Sequence, residues 1–392
     1  MKEGWEYKKL GEVGTFQRGK GIQKTDFVER GMPCIHYGQL HTVFGVATEK
    51  HLSHISRELY SKSIIASKND VILALTSEDV EGSCRSTAWL GDYDVAVSSD
   101  AAVYKHSINP KFVAYYLRSD SFFIEKSKYA RGFKVTHIKT SDIEKIPIPL
   151  PSLEVQQKVV SELDQINDLI RLKKEQLKEY DNLAQSIFYD MFGDPVENEK
   201  GWEVKKLKEV CLSITDGDHM PPPKSDSGIP FLTISDIDKE TRTLNFGDTF
   251  YVPQEYYDKL KNDRKAMMGD LLYTVTGSYG IPVEVKTEQP FCFQRHIALI
   301  KVNKENILTN FLCHWVLCKS VKYMADRVAT GIAQKTVGLN SLRNFDVILP
   351  PLPLQQEFST RIEQIEKLKT EVQKTITDLE TLLASRMQYW FE

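Results

Sequence analysis

The chain states one pattern twice. Gly4-Trp5-Glu6-Tyr7-Lys8-Lys9-Leu10 returns as Gly201-Trp202-Glu203-Val204-Lys205-Lys206-Leu207. Leu150-Pro151-Ser152-Leu153-Glu154-Val155-Gln156-Gln157 returns as Leu349-Pro350-Pro351-Leu352-Pro353-Leu354-Gln355-Gln356. The offsets are 197 and 199 residues, close to half of the 392. Solenoid repeats are far shorter, about 20–50 residues. The pattern is therefore a tandem duplication of a whole domain together with the segment that follows it. Two such units can be related by a pseudo-twofold axis, as subunits are in a symmetric dimer.

Within each unit the chain alternates short apolar runs with Gly, Asn, Asp and Ser breaks. Pro33 to Tyr37, Asp70 to Leu75 and Asp94 to Val97 read as strands. Gly228 to Phe231 and Gly269 to Thr274 answer them in the second unit. Gly14 to Gly21 reads as a turn-rich loop. One helix is expected after Pro110, carrying Phe112, Tyr115, Tyr116 and Phe123, and one over Phe311 to Ala325. Lys126, Lys128, Arg131 and Lys134 are expected around an exposed turn at Gly132. This is an α+β plan with small mixed sheets, not a βαβ series.

The segments after each unit differ in kind. From Leu153 to Phe192 there is no Gly or Pro. Val159, Leu163, Ile166, Ile170, Lys173, Leu177, Tyr180, Ala184, Ile187 and Met191 alternate spacings of four and three, a heptad seam with one charged break. Phe358, Ile362, Ile365, Lys369, Val372, Ile376, Leu379, Leu383, Arg386 and Trp390 repeat it in the same phase. Two long helices, each needing a partner, predict an antiparallel coiled coil. The expected domains are 1–151, a helix over 152–193, a second domain over 194–349, and a helix over 350–392.

Composition narrows the class. No run of about 18 apolar residues exists, so no membrane span is expected. The opening Met1-Lys2-Glu3-Gly4 lacks the apolar core of a secretory signal, which makes the cytoplasm the default. Six cysteines, none in a Cys-x-x-Cys pair, read as buried thiols. His51 with His54, and Asp216 with Asp218 and His219, have loose metal spacing but no evident fourth ligand. The formal net charge of −3 looks adverse for a nucleic-acid binder, but the acid excess lies mostly in the connecting helices.

Catalytic signatures are missing. Gly14 to Gly21 matches G-x-x-x-x-G-K, yet Gly21 stands where Ser or Thr should hold magnesium. Arg18, Lys20 and Lys24 there suit a phosphate backbone better than a nucleotide. No Asn/Asp-Pro-Pro-aromatic turn, Gly-rich cofactor fingerprint, nuclease carboxylate cluster or Ser/His/Asp order is present.

Polar loops remain, at matching places in both units. In the first they are His36-Tyr37-Gly38-Gln39, Thr76-Ser77-Glu78, Ser83-Cys84-Arg85-Ser86, Ser98-Ser99-Asp100 and Arg131-Gly132-Phe133-Lys134. In the second they are Ser235-Asp236, Thr276-Gly277-Ser278-Tyr279, Gln294-Arg295-His296 and Gln334-Lys335-Thr336. Arg and Lys suit guanine O6 and N7, and Gln suits adenine N6 and N7. A repeated scaffold with unlike loops is what two readers of unlike sequences require, and duplex DNA is the ligand with matching dyad symmetry.

The chain resembles the specificity (S) subunit of type I restriction–modification enzymes. The resemblance spans essentially the whole chain. It rests on the Gly-Trp-Glu-x-Lys-Lys-Leu openings at Trp5 and Trp202, the strand openings at Asp70 and Asp270, and the helix openings that end at Gln157 and Gln356. It implies two target-recognition domains separated by two long helices packed as an antiparallel coiled coil, each domain reading half of a bipartite, asymmetric site on double-stranded DNA. It further implies two methyltransferase (M) subunits and restriction (R) subunits as partners. S-adenosylmethionine and ATP with Mg would then be bound by those partners, with no cofactor on this chain. The rival readings are a coiled-coil scaffold with no DNA role and a fused methyltransferase.

Overall fold

The computed structural model describes residues 4–132, 135–217, 219–332 and 334–392. It divides into two compact units, one built from the chain up to Lys173 with Thr375–Glu392, the other from Lys174–Lys374. Each unit therefore takes in part of both long helices, as well as one of the duplicated domains.

The duplicated motifs at either end of a domain are partners. Strand Glu6–Lys9 pairs antiparallel with Pro147–Leu150, Glu6 opposite Leu150. Strand Glu203–Lys206 pairs with Asp346–Leu349 in the same register, Glu203 opposite Leu349. The opening and closing motifs thus zip each domain shut where it meets its helix.

In the first unit a five-stranded sheet runs in the order Gly14–Arg18, Ala101–His106, Val71–Ala74, Ser86–Trp89, Ala47–Thr48. A four-stranded sheet runs Ser53–Ile55, Met32–Ile35, Val95–Val97, Ile64–Ala66. Side chains alternate across a strand. Val71, Leu73 and Leu75 accordingly enter the core shared with the helices. Ile72 and Ala74 enter a second core with Ile35, Val95 and Val97. Burial on both faces explains the unbroken apolar run. In the second unit Leu271, Tyr273 and Val275 face the helices while Leu272 faces the other way.

Asp70 and Asp270 open these strands for a common reason. The Asp70 carboxylate accepts from Ser67 N and pairs with Lys105 Nζ, both at 2.8 Å. Asp270 accepts from Met267 N at 2.8 Å and pairs with Lys301 Nζ at 2.6 Å. Each carboxylate closes a turn and ties it to the neighbouring strand.

Four local expectations need correction. Gly14–Arg18 is a strand, because it pairs with Ala101–His106 along its whole length. The helix after Pro110 is two, Pro110–Tyr116 and Asp120–Ser127, because Ser119 caps the second through its side chain. The second unit breaks likewise into Thr309–Val316 and Lys319–Val328. Lys126 lies on no exposed turn. It is buried, its ammonium donating to main-chain carbonyls.

The long helices are Leu153–Phe192 and Leu352–Phe391. At 1.5 Å per residue each spans about 60 Å. They run antiparallel in both units. In the first, Arg386 bonds Glu162, which also accepts from Trp390 Nε1 at 3.1 Å. In the second, Lys369 Nζ meets Asp181 Oδ1 at 2.9 Å, and Arg242 reaches the same oxygen at 2.7 Å. The charged breaks of the heptad seam at Lys369 and Arg386 are thus filled by ion pairs. Val159, Leu163, Ile166 and Ile170 are buried, as are Phe358, Ile362, Ile365, Val372 and Ile376. Leu177, Tyr180, Leu379 and Leu383 are half-buried. Phe188 and Phe192, off that seam, are fully buried against Phe311 and Phe358.

Candidate nucleic-acid interface

In the first unit five separate segments converge on one edge. Strand Thr76–Ser77 pairs with Thr136–His137, and Arg131 bridges to His137. Thr76 Oγ1 lies 3.1 Å from His137 Nδ1 and 3.5 Å from Asp100 Oδ1. Arg18 Nε donates to Ser99 O at 3.1 Å, and its guanidinium approaches Asp100 Oδ1 at 3.6 Å. Ser99 Oγ accepts from Gly21 N, and Ser98 Oγ from Tyr37 N, both at 2.8 Å. His41 Nε2 sits 3.0 Å from Thr76 O.

The second unit rebuilds this edge with the same backbone bonds. Leu75 N donates to Asp100 O at 2.8 Å, and Val275 N to His296 O at 2.9 Å. Ser98 N donates to Ile35 O at 3.1 Å, and Gln294 N to Leu232 O at 3.0 Å. The bridge of Arg131 to His137 has its counterpart in Thr330 and Thr336. Thr276 also bridges Thr336, with the two hydroxyls 3.2 Å apart, and Gly277 N donates to Lys335 O at 3.0 Å. Gly132 and Gly331 both turn at positive φ, +120° and +112°. A Cβ there would fall 1.9 Å from Val135 O or 2.2 Å from Gln334 O, so only glycine closes this turn.

On this shared frame the side chains are unlike. Arg18 lies opposite Ala102 in the first unit and Asp216 opposite Ala298 in the second, which reverses the charge. Asp216 carries His219 Nε2 at 2.8 Å and Arg264 at 3.6 Å. By the same bonds Ser99 corresponds to Arg295, and Asp100 to His296. Burial and the adjacent Arg295 hold the His296 imidazole below its ordinary range, which favours its neutral form.

The remaining candidates fall into three groups. Lys20, Lys24, Arg85, Arg131, Ser235, Ser278, Arg295, Gln334 and Lys335 are exposed. Tyr37, Ser77, Tyr279, Gln294 and His296 are half-buried. Lys239 Nζ donates to Ser278 Oγ at 3.0 Å, and Tyr279 OH to Asp326 Oδ1 at 2.6 Å. His36 and Gln39 are engaged within the fold. His36 is 5 % exposed and accepts from Gly38 N, while Gln39 Oε1 caps His36 N at 2.9 Å and its Nε2 bonds Ser53. They shape the start of helix Tyr37–Thr42. Thr76 and Thr276 are also buried, within the ribbon. Lys134 and Asp218 lie outside the described residues. Spacing alone does not single out His41, His137, Asp216 and Arg264 as edge residues: strand pairing brings His137 and Asp216 there, and the folding of helix Tyr37–Thr42 and of the short turn Asn262–Arg264 brings the other two.

Among the described residues no cluster of three His, Cys, Asp or Glu forms a metal site. His51 Nε2 meets His54 Nε2 at 3.1 Å, and His51 Nδ1 meets Tyr93 OH at 2.6 Å. All six cysteines are free. No helix among the described residues is long and apolar enough to cross a membrane.

Comparison with known proteins gives one answer. The family described as type I restriction modification DNA specificity domain matches residues 2–180 and again 199–381. The chain is 21% identical to the type I restriction enzyme MjaVIII specificity subunit of Methanocaldococcus jannaschii, over 93% of this chain and 87% of that one. It is 20% identical to the StySPI specificity subunit of Salmonella potsdam, over 99% and 88%. A solved structure described as the basis of complex assembly and conformational transition of the type I R-M system superposes with a TM-score of 0.57, at 20% identity, over 99% and 97%. The S subunit from M. genitalium superposes with a TM-score of 0.50 at 12% identity, over 99% and 96%.

Proposed function

The chain belongs to the type I restriction modification DNA specificity domain family, and from that premise we propose that it is the sequence-reading subunit of a type I restriction–modification complex. Each unit reads one half of a bipartite, asymmetric duplex target. The assembled protein directs two methyltransferase subunits, and restriction subunits with them, to that site in the cytoplasm. The chain itself does no chemistry. S-adenosylmethionine, and ATP with Mg, are held by the partners.

One observation carries this reading. The two edges share a backbone hydrogen-bond frame, yet Arg18, Ser99 and Asp100 are replaced by Asp216, Arg295 and His296. A frame held constant under unlike donors and acceptors suits two readers of two base sequences, since groove specificity lies in the donor–acceptor pattern presented to base edges. A coiled-coil scaffold would gain nothing from that variation. Exposed Lys20, Lys24, Arg131 and Lys335 flank the edges and suit phosphate contacts, which position without specifying.

The test is selection. The chain with a methyltransferase partner is incubated with random duplexes, and the retained fraction is sequenced. The expected result is two short fixed blocks separated by an unread spacer. Recovery of no sequence preference would return the scaffold reading.

A further inference from the structure

Lys126 is 3 % exposed, and a lysine is almost never so buried unless paired. Among the described residues no carboxylate forms an ion pair with it. Its ammonium donates instead to Glu81 O at 2.8 Å and to Ser83 O, with the Phe123 ring 5.5 Å away. Both carbonyls belong to the loop over 78–85, which leaves the edge strand Thr76–Ser77. That loop is folded tightly. Gly82 N donates to Asp79 Oδ1, and Ser83 Oγ to Val80 O, both at 2.6 Å. Cys84 sits at φ +60°, a strained setting that persists only where its surroundings enforce it. The loop also abuts the edge, for a Cβ on Gly82 would lie 2.3 Å from Ser77 Oγ. Arg85, at the loop's end, is exposed.

The second unit solves the same problem with other groups. Its loop, Gly277 to Gly280, follows Thr276 and is tied by Tyr279 OH donating to Asp326 Oδ1 at 2.6 Å. Asp326 lies on helix Lys319–Val328, the counterpart of Asp120–Ser127. Lys126 stands seven residues after its cap Ser119, and the residue seven after the cap Cys318 is buried Ala325. Packing of this helix therefore does not itself call for a lysine. What recurs is a polar tie, made by one side chain, between the helix and the loop beside the edge. The donor comes from the helix in one unit and from the loop in the other.

We propose that Lys126 and the Tyr279–Asp326 pair are specificity-determining positioning residues, each fixing the loop beside its own reading edge and so setting which base pairs that unit discriminates. This rests on the DNA-reading function above. Around buried Lys126 the low dielectric strengthens the tie and makes its loss costly, and in either unit a loop freed of its tie samples other shapes.

The experiment uses the full chain with its methyltransferase partner and duplex libraries randomised across both half-sites. A wrong base pair in a specific complex typically weakens binding roughly 5- to 150-fold. Lys126→Met is expected to lower discrimination at least about fivefold within one half-site and leave the other unchanged, on that scale. Tyr279→Phe is expected to do the same in the opposite half. Asp326→Asn, which keeps an acceptor oxygen, should retain parental selectivity, whereas Asp326→Ala should behave as Tyr279→Phe. If Lys126→Met does not fold, the Tyr279 and Asp326 arms decide. Folded variants that bind more weakly but discriminate as the parent does would overturn the assignment and leave the DNA reading intact. A parent that selects no sequence would instead overturn both.

Discussion

The side-chain oxygen of Gln156 accepts a hydrogen bond from the backbone N–H of Asn109 at 3.0 Å. Its amide donates to Pro151 O, also at 3.0 Å. In the second unit Gln355 accepts from Leu308 N at 2.9 Å and donates to Pro350 O at 2.8 Å. One glutamine thus joins the start of a long helix to the start of a domain helix, and it does so twice. This accounts physically for the repeated Gln-Gln motif, of which the first member is buried and the second exposed.

Gln355→Ala should therefore be costly. Gln355 is fully buried, and its removal takes a partner from the Leu308 N–H and from the carbonyls of Pro350 and Asn306, an unpaired buried group costing about 1–3 kcal/mol. A loss of about 2–4 kcal/mol is expected from the denaturant midpoint, against less than about 0.5 kcal/mol for the exposed neighbour Gln356→Ala. Equal effects would show that the clamp contributes nothing.

Acid should unfold the first unit through His106. Burial holds this imidazole down to about 4, from 6.5 in an open chain. Between those values the unfolded chain binds a proton that the native one does not, so stability falls as pH falls. It is unaffected above about 7, and at pH 4 the loss is roughly 3 kcal/mol. His106→Gln should flatten this part of the pH–stability curve. An unchanged slope in that variant would assign the effect elsewhere.

Lys335 is exposed on the Gly331 turn. If it meets a phosphate, Lys335→Ala weakens binding nearly uniformly across sequences and flattens the log–log salt slope by about one unit. Affinity measured at several salt concentrations checks this. An unaltered slope would place the residue in solvent.

Much of this architecture is legible in the amino-acid order. The duplication marks both domains because Trp5–Leu10 and Trp202–Leu207 must zip against their closing strands, which ties sequence to register. The long helices are legible because four–three spacing over 40 residues has few other meanings. The break at Leu117–Ser119 is not, since Phe112 to Phe123 keeps helical spacing across a side-chain cap. Nor is the burial of Lys126, whose acceptors are main-chain carbonyls more than 40 residues away. The helix-capping bonds of His36 and Gln39 are not legible either, because capping and base recognition draw on the same polar groups. His137 escapes a reading by spacing, and Asp216 is read by spacing only as a metal candidate, because strand pairing brings both to the edge.

The isolated chain should neither methylate nor cleave DNA. Among the described residues no group of three His, Cys, Asp or Glu assembles that could hold a metal ion, and the sequence carries no Gly-rich cofactor fingerprint. The check is methyl transfer from S-adenosylmethionine, and nicking with Mg and ATP, by the purified chain with and without its partners. Turnover by the chain alone would refute the reading.

The most direct test of two independent readers is an exchange of one of them. Residues 1–151 are replaced by the equivalent domain of a relative with a different target, and the hybrid is assembled with its methyltransferase partner. Selection from random duplexes then reports both half-sites. Each domain has its own zipped ends, and its core contacts beyond residue 151 run to the long helices, Gln156 to Asn109 and Asp164 to Tyr115 among them, so the hybrid keeps the helix residues that make them. The predicted result is one new half-site beside one unchanged half-site. A hybrid that folds and assembles but changes both half-sites, or neither, would contradict the account.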